Sequence, residues 1–185
     1  MRRVFWMLCC AALAAPPALA GLRYAESTGP STLNPFLVRD MPSLRAVELL
    51  YEGLVSPPEA GEVKPRLAES WDVSPDGMSV TFRLKRGVLW HDGKPFTSRD
   101  VAVTVQAGLD PRTPTALRSQ FQAFAQAEPL GDDAVRFQFR RKVLNPLLHF
   151  DFKILPAHLF PQGYVDAGAL REAVGTGPFR FQEWA

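Results

Sequence analysis

Glu69-Ser70-Trp71-Asp72-Val73-Ser74-Pro75-Asp76-Gly77-Met78-Ser79-Val80-Thr81-Phe82-Arg83-Leu84 is the stretch whose reading decides the fold. Ser74-Pro75-Asp76-Gly77 is turn chemistry: Pro presets φ, Asp bonds the backbone ahead of it, and Gly accepts a positive φ. Residues 69–73 and 78–84 on either side are therefore expected to pair as a hairpin. Val80, Phe82 and Leu84 alternate with Ser79, Thr81 and Arg83, so one face is buried and the other wet. Val135, Phe137 and Phe139 alternate with Arg136, Gln138 and Arg140 in the same way.

Working outward, Leu44, Val47, Tyr51 and Leu54 recur at helical spacing, with Gly53 placed to end that helix. Residues 88–90 read as a short strand running into a second Asp-Gly turn, His91-Asp92-Gly93-Lys94. Thr97 followed by Asp100 is the pattern of a capping box, and Val101, Val105 and Leu109 mark the inner stripe of the helix it opens. Residues 22–26 read as a strand before the turn Thr28-Gly29-Pro30-Ser31, residues 166–174 as a helix, and residues 178–184 as a strand through Phe179, Phe181 and Trp184. The result is a mixed α/β chain. It stops one residue after Trp184, inside what reads as a core strand, so more chain is expected beyond Ala185.

Composition removes several classes. Gly and Pro together make 30 of 185 residues, about 16%, below the roughly 25–30% of disordered chains. Thirteen Phe supply a core. The only basic cluster, Arg140-Arg141-Lys142, closes a strand and reads as a solvated strand end, so no nucleic-acid partner is expected.

The first twenty residues read as an address. Arg2 and Arg3 precede an uncharged apolar run from 4 to 15, and Ala18-Leu19-Ala20 gives the small-x-small step cut by signal peptidase. The run is too short to span a bilayer, which takes about 20 residues. Cleavage after Ala20 removes Cys9 and Cys10 and leaves residues 21–185 with 19 basic and 19 acidic side chains. Neither cysteine follows the small residue that a lipid-anchored cysteine requires. Arg2, Arg3 and Phe5 resemble a twin-arginine signal without its Ser or Thr, so the ordinary secretory route is expected. Either route leads out of the cytoplasm.

Few residues suggest chemistry. His91, His149 and His158 lack the spacing of a metal pair, and no metal is expected. His91-Asp92 is the raw material of a serine hydrolase, but no Gly-x-Ser-x-Gly elbow accompanies it. Gly175-Thr176-Gly177 lacks the third glycine of a phosphate loop and precedes a strand, so it reads as a tight turn whose glycines admit positive φ.

The order of several phrases is more telling than any one motif. Leu33-Asn34-Pro35 is followed by Tyr51-Glu52-Gly53-Leu54-Val55 and by Val63-Lys64-Pro65-Arg66-Leu67-Ala68-Glu69-Ser70-Trp71. Next come Lys85-Arg86-Gly87-Val88-Leu89-Trp90-His91-Asp92-Gly93-Lys94-Pro95-Phe96-Thr97, Ile154-Leu155-Pro156-Ala157-His158 and Gly175-Thr176-Gly177-Pro178-Phe179-Arg180-Phe181. This series resembles the extracellular solute-binding protein family 5, the oligopeptide-, dipeptide- and nickel-binding proteins of ABC importers. The resemblance implies a two-lobed fold like that of type II periplasmic binding proteins, a mixed sheet with flanking helices, of which residues 21–185 are the N-terminal part. It implies a monomeric, cofactor-free capture protein that closes on a peptide or similar small solute and delivers it to permease subunits of the inner membrane. A nickel chelate, an oligosaccharide or an opine-like compound fits the family equally.

By the same resemblance, Thr28, Gly29, Pro30 and Ser31 form the turn that offers backbone contacts to a ligand. Gly29 lets backbone come close, whereas Pro30 removes one amide donor. Phe121 and Phe124 belong either to the cleft lining or to a helix core. The alternatives carried forward are a periplasmic hydrolase using His91 and a fragment that binds nothing by itself.

Overall fold

The quoted hairpin forms where its turn chemistry places it. In the computed structural model, which describes residues 28–166 and 172–183, β1 (Ala68–Val73) pairs antiparallel with β2 (Ser79–Leu84), Trp71 opposite Phe82. Gly77 takes φ 69° at the turn. The Asp76 carboxylate accepts from the Ser74 hydroxyl and from the Met78 amide, and both hold its pKa below the ordinary value.

A second hairpin joins β3 (Phe124–Pro129) to β4 (Ala134–Phe139), and the sheet order is β1-β2-β4-β3. A mixed sheet is expected from the resemblance, yet every pair described is antiparallel. The turns at 74–78 and 130–133 are too short for the crossover that a parallel pair needs.

The alternation read from sequence sorts the two faces. Val80, Phe82, Leu84, Val135, Phe137 and Phe139 are buried, while Arg83, Arg136 and Gln138 face solvent. The buried face packs on Phe150, whose ring centroid lies 4.7 Å from Phe82, 4.6 Å from Phe137 and 5.2 Å from Phe124.

Helix α2 (Ser98–Leu109) covers one end of this core. The Thr97 amide donates to the Asp100 carboxylate at 2.7 Å, as the capping pattern requires, and Val101 and Val105 are buried. The helix also fastens the Ile154-Leu155-Pro156-Ala157 segment. The Leu155 amide donates to the Thr104 hydroxyl at 2.9 Å, and the Ala157 amide to Asp100 at 2.7 Å. A short helix, α3 (Arg118–Phe121), then lays Phe121 against Gly108, where a Cβ would lie 2.3 Å from the ring.

Helix α1 (Met41–Leu50) buries Val47 and Leu50 but leaves Leu44 39% exposed. It ends at Tyr51, before Gly53 is reached. Gly53 serves another purpose: it bridges Lys153, and a Cβ there would sit 2.8 Å from the Phe152 carbonyl oxygen. Residues 88–90 form no strand, only the isolated bridge Leu89 to Pro95.

Three expectations concern the chain ends. The strand at 22–26 lies outside the described residues, as does most of the helix at 166–174, and 172–174 are irregular. Residues 178–183 are not a strand. Pro178 has no amide to give a ladder, and the Gly177 and Phe179 amides instead donate to the carbonyls of Leu50 and Leu49 at the end of α1. The role expected of Gly175 and Gly177 changes with this. Neither has positive φ; a Cβ on Gly175 would lie 1.8 Å from the Leu50 oxygen, and one on Gly177 2.4 Å from the Leu49 oxygen. They are glycines because two backbones cross.

Gly175→Ala is accordingly expected to lower stability by about 1–3 kcal/mol, the usual cost of overpacking. Gly29→Ala, whose Cβ would meet nothing within 4 Å, is expected to leave the urea midpoint unchanged.

Candidate ligand-binding site

The turn at 28–31 is held by the start of α1. Asp40, the extended N-cap residue, accepts from the Ser43 amide at 2.8 Å and from the Ser43 hydroxyl at 2.9 Å. The same carboxylate accepts from the Ser31 hydroxyl, and the Thr32 amide donates back to the Ser43 oxygen at 3.1 Å. The Ser31 hydroxyl, followed by the Ser43 amide, holds the Asp40 carboxyl below its ordinary pKa. Thr28, Gly29 and Ser31 are exposed on this tether, and Pro30 is half-buried.

Immediately downstream, Asn34 closes a turn. Its side-chain oxygen accepts from the Phe36 amide at 3.0 Å, and its carbonyl from the Leu37 amide at 3.0 Å. That turn presents Pro35, Phe36 and Val38 to an open pocket of about 420 Å³. Leu44 and Val47 of α1 form the second wall, and Leu117 with Phe152 the third.

Four polar side chains edge the pocket: Glu48, Gln120, Asp151 and Lys153. Lys153, its side chain only 11% exposed, meets Glu48 at 2.7 Å. The Gln120 amide donates to Asp151 and to the His149 carbonyl. Apolar walls with a few convergent polar groups suit the capture of a small solute: the walls take its hydrocarbon and the polar groups orient it. A larger groove of about 830 Å³ crosses the wet face of the sheet, but charged residues such as Arg83, Lys85, Arg86, Asp72 and Asp133 dominate its lining.

The residues singled out from sequence divide. Phe121 and Phe124 have no exposed surface; they stand in the ring cluster, Phe121 5.3 Å from Phe36 and 4.8 Å from Phe152. The chain beside Phe121 reaches the pocket instead, through Leu117 and Gln120. His91 is held by backbone on both sides. The Gly175 amide donates to Nδ1 at 3.2 Å, so the proton is on Nε2, which donates to the Gly177 carbonyl at 2.9 Å. Asp92 turns away from His91 to meet His158 at 2.6 Å. Burial opposes ionisation of Asp92, but the Lys94 amide and the His158 ring outweigh it and lower its pKa. Among the described residues, no group of three or more His, Cys, Asp and Glu is placed to hold a metal.

Leu44, Leu117, Gln120, Asp151 and Lys153 were not singled out from sequence as site residues. One signal was present: Asp151 and Lys153 alternate with the apolar Phe150, Phe152 and Ile154.

The architecture is a pocket on one side of an aromatic core. The profile described as bacterial extracellular solute-binding proteins, family 5 Middle, matches residues 62–185, and the chain belongs to this family. Oligopeptide-binding protein AppA of Bacillus subtilis (strain 168) is 31% identical over 92% of this chain and 33% of its own length. The solved structure of AppA from Bacillus subtilis in complex with a nonapeptide superposes with TM-score 0.73 at 30% identity, over 85% of this chain and 33% of that one. NikZ from Campylobacter jejuni in complex with Ni(L-His) superposes with TM-score 0.75 at 27% identity, over 85% of this chain and 32% of that one. The chain thus spans about a third of the length of these proteins.

Asp40→Ala tests the tether. Because folding lowers this carboxyl's pKa, its stabilisation is complete above the ordinary Asp value, about 3.9, and is lost as the pH falls through the lowered one. The thermal midpoint of Asp40→Ala is expected below that of the parent at neutral pH, with the gap closing in acid. A gap independent of pH would show that the carboxylate is not what holds the turn.

Proposed function

We propose that this chain is the N-terminal part of the substrate-binding component of an ABC importer, and that it captures a peptide or a similar small solute. The observation that carries this reading is the apolar pocket lined by Pro35, Phe36, Leu44 and Leu117, in a chain of family 5; the exposed turn at 28–31 is tethered to the start of α1, one of its walls, and does not itself line it. Thr28 and Gly29 offer backbone groups and the Thr28 hydroxyl to the solute, Ser31, whose hydroxyl is given to Asp40, offers its backbone, and Pro30 offers only its carbonyl. Phe121 and Phe124 act behind the pocket, stiffening the wall formed by Leu117, Gln120 and Phe152.

Residues 1–20 act as a cleaved export signal, which places the mature chain in the periplasm facing permease subunits of the inner membrane. A peptide is favoured because most of the pocket lining is apolar, with a few polar groups at its edge, which suits apolar side chains on a polar backbone. Capture needs no bond to be made or broken. No observation favours the hydrolase reading, since both nitrogens of His91 are engaged by backbone.

Filling the pocket is the direct test. In the protein extended to the length of its relatives, Leu44→Trp is expected to weaken binding of di- to pentapeptides by at least about tenfold in calorimetry. A parent that binds none of them, or a variant that binds as the parent does, would overturn the reading.

A further inference from the structure

We propose that His91 is a pH-sensitive latch: its neutral imidazole fastens the strap Gly175-Thr176-Gly177 to the fold, and protonation releases it. The strap crosses the end of α1, where the Gly177 amide donates to the Leu50 carbonyl at 2.9 Å. On its other side it meets His91 three times. The His91 amide donates to the Gly175 carbonyl at 2.9 Å, the Gly175 amide donates to Nδ1 at 3.2 Å, and Nε2 donates to the Gly177 carbonyl at 2.9 Å.

Only the neutral ring completes this set. One nitrogen must accept and the other must donate. A proton added at Nδ1 points an N–H at the Gly175 N–H, which turns an attraction into a repulsion between two donors. The strap's other hydrogen bonds run to α1, from the Gly177 amide to Leu50 and from the Phe179 amide to Leu49, so on the side of residues 90–94 His91 is its fastening. The hydroxyl of Thr176 and the indole nitrogen of Trp90, next to His91, are buried without a hydrogen-bond partner among the described residues. The strap therefore already carries uncompensated polar burial when the latch is closed.

The charged and titratable groups on the elements that meet here leave the imidazoles as the switch. Asp92, on the same turn, has a lowered pKa and stays ionised, and Lys94 lies 3.9 Å from its carboxylate. Burial raises the pKa of Tyr51 at the end of α1, so it stays neutral. Glu48 on α1, Glu52 just after it, and Glu172 and Arg180 flanking the strap are the other charged side chains on these elements. His158, bonded to Asp92, is the other nearby imidazole and does not touch the strap.

Amide exchange of the folded chain, followed by NMR and corrected for the intrinsic effect of pH, reads the latch. Between about pH 7.5 and about pH 5, the range in which imidazoles titrate, protection of the Gly175 amide is expected to fall about tenfold. His158→Gln is expected to keep that fall, and His91→Gln to abolish it. At neutral pH the ring nitrogens of wild-type His91 are expected to report the tautomer with the proton on Nε2. The proton found on Nδ1, a wild-type protection that does not change with pH, or an equal fall in His91→Gln would each overturn the latch. Should His91→Gln fail to fold, the wild-type tautomer and the His158→Gln profile decide the matter.

Discussion

The ring of Phe150 is the contact on which the rest of the structure depends. It lies under both hairpins at once, against Phe82 of β2, Phe124 of β3 and Phe137 of β4. Each such aromatic pair contributes about 0.5–1.5 kcal/mol beyond the area it buries. More important here is what the ring imposes on its neighbours. With Phe150 and Phe152 turned into the core, Asp151 and Lys153 are delivered to the pocket edge, and Lys153 reaches back to Glu48 on α1. The same logic applies on the other wall, where burial of Phe121 sets Gln120 beside Asp151. The pocket is the outer surface of an aromatic core.

Polar contacts close the ends that the rings leave open. Arg118 donates to the carbonyls of Gly108, Leu109, Asp110 and Thr113, placing a cation at the negative end of α2. Arg112 pairs with Asp110 through two nitrogens and lies 4.1 Å over the Tyr164 ring. The side-chain contact of Arg112, ahead of its amide, holds the Asp110 carboxyl at about pKa 2. These ties fix the loop between α2 and α3, and with it the position of Leu117.

Much of this was legible in the sequence where a local rule decides the outcome. Ser74-Pro75-Asp76-Gly77 and the alternations of β2 and β4 needed no distant partner, and the Thr97 to Asp100 pair announced α2. Legibility failed where the cause was remote. Gly53, Gly175 and Gly177 are required by backbone that lies far away in the chain, and a glycine looks the same whether it turns or makes room. Phe179 and Phe181 alternate like a strand, but a strand needs a partner, and this segment found the end of α1. The pocket draws on the segments around Phe36, α1, Leu117 and Phe152, so no single window of sequence displays it. The turn at 28–31 was visible, but Asp40 and Ser43, which hold it in place, were not.

The open mouth of the pocket has a practical side. Both cysteines of the chain, Cys9 and Cys10, precede residue 21, so every position from 21 to 185 is thiol-free. Leu44, 39% exposed on a helix and already part of the wall, is a place where one introduced thiol is unique in that span. A dye attached there occupies the mouth of the pocket near Val38, Leu117 and Phe152, where its emission reports how wet that wall is. The same open apolar wall thus also gives the fold a single addressable point for an optical probe.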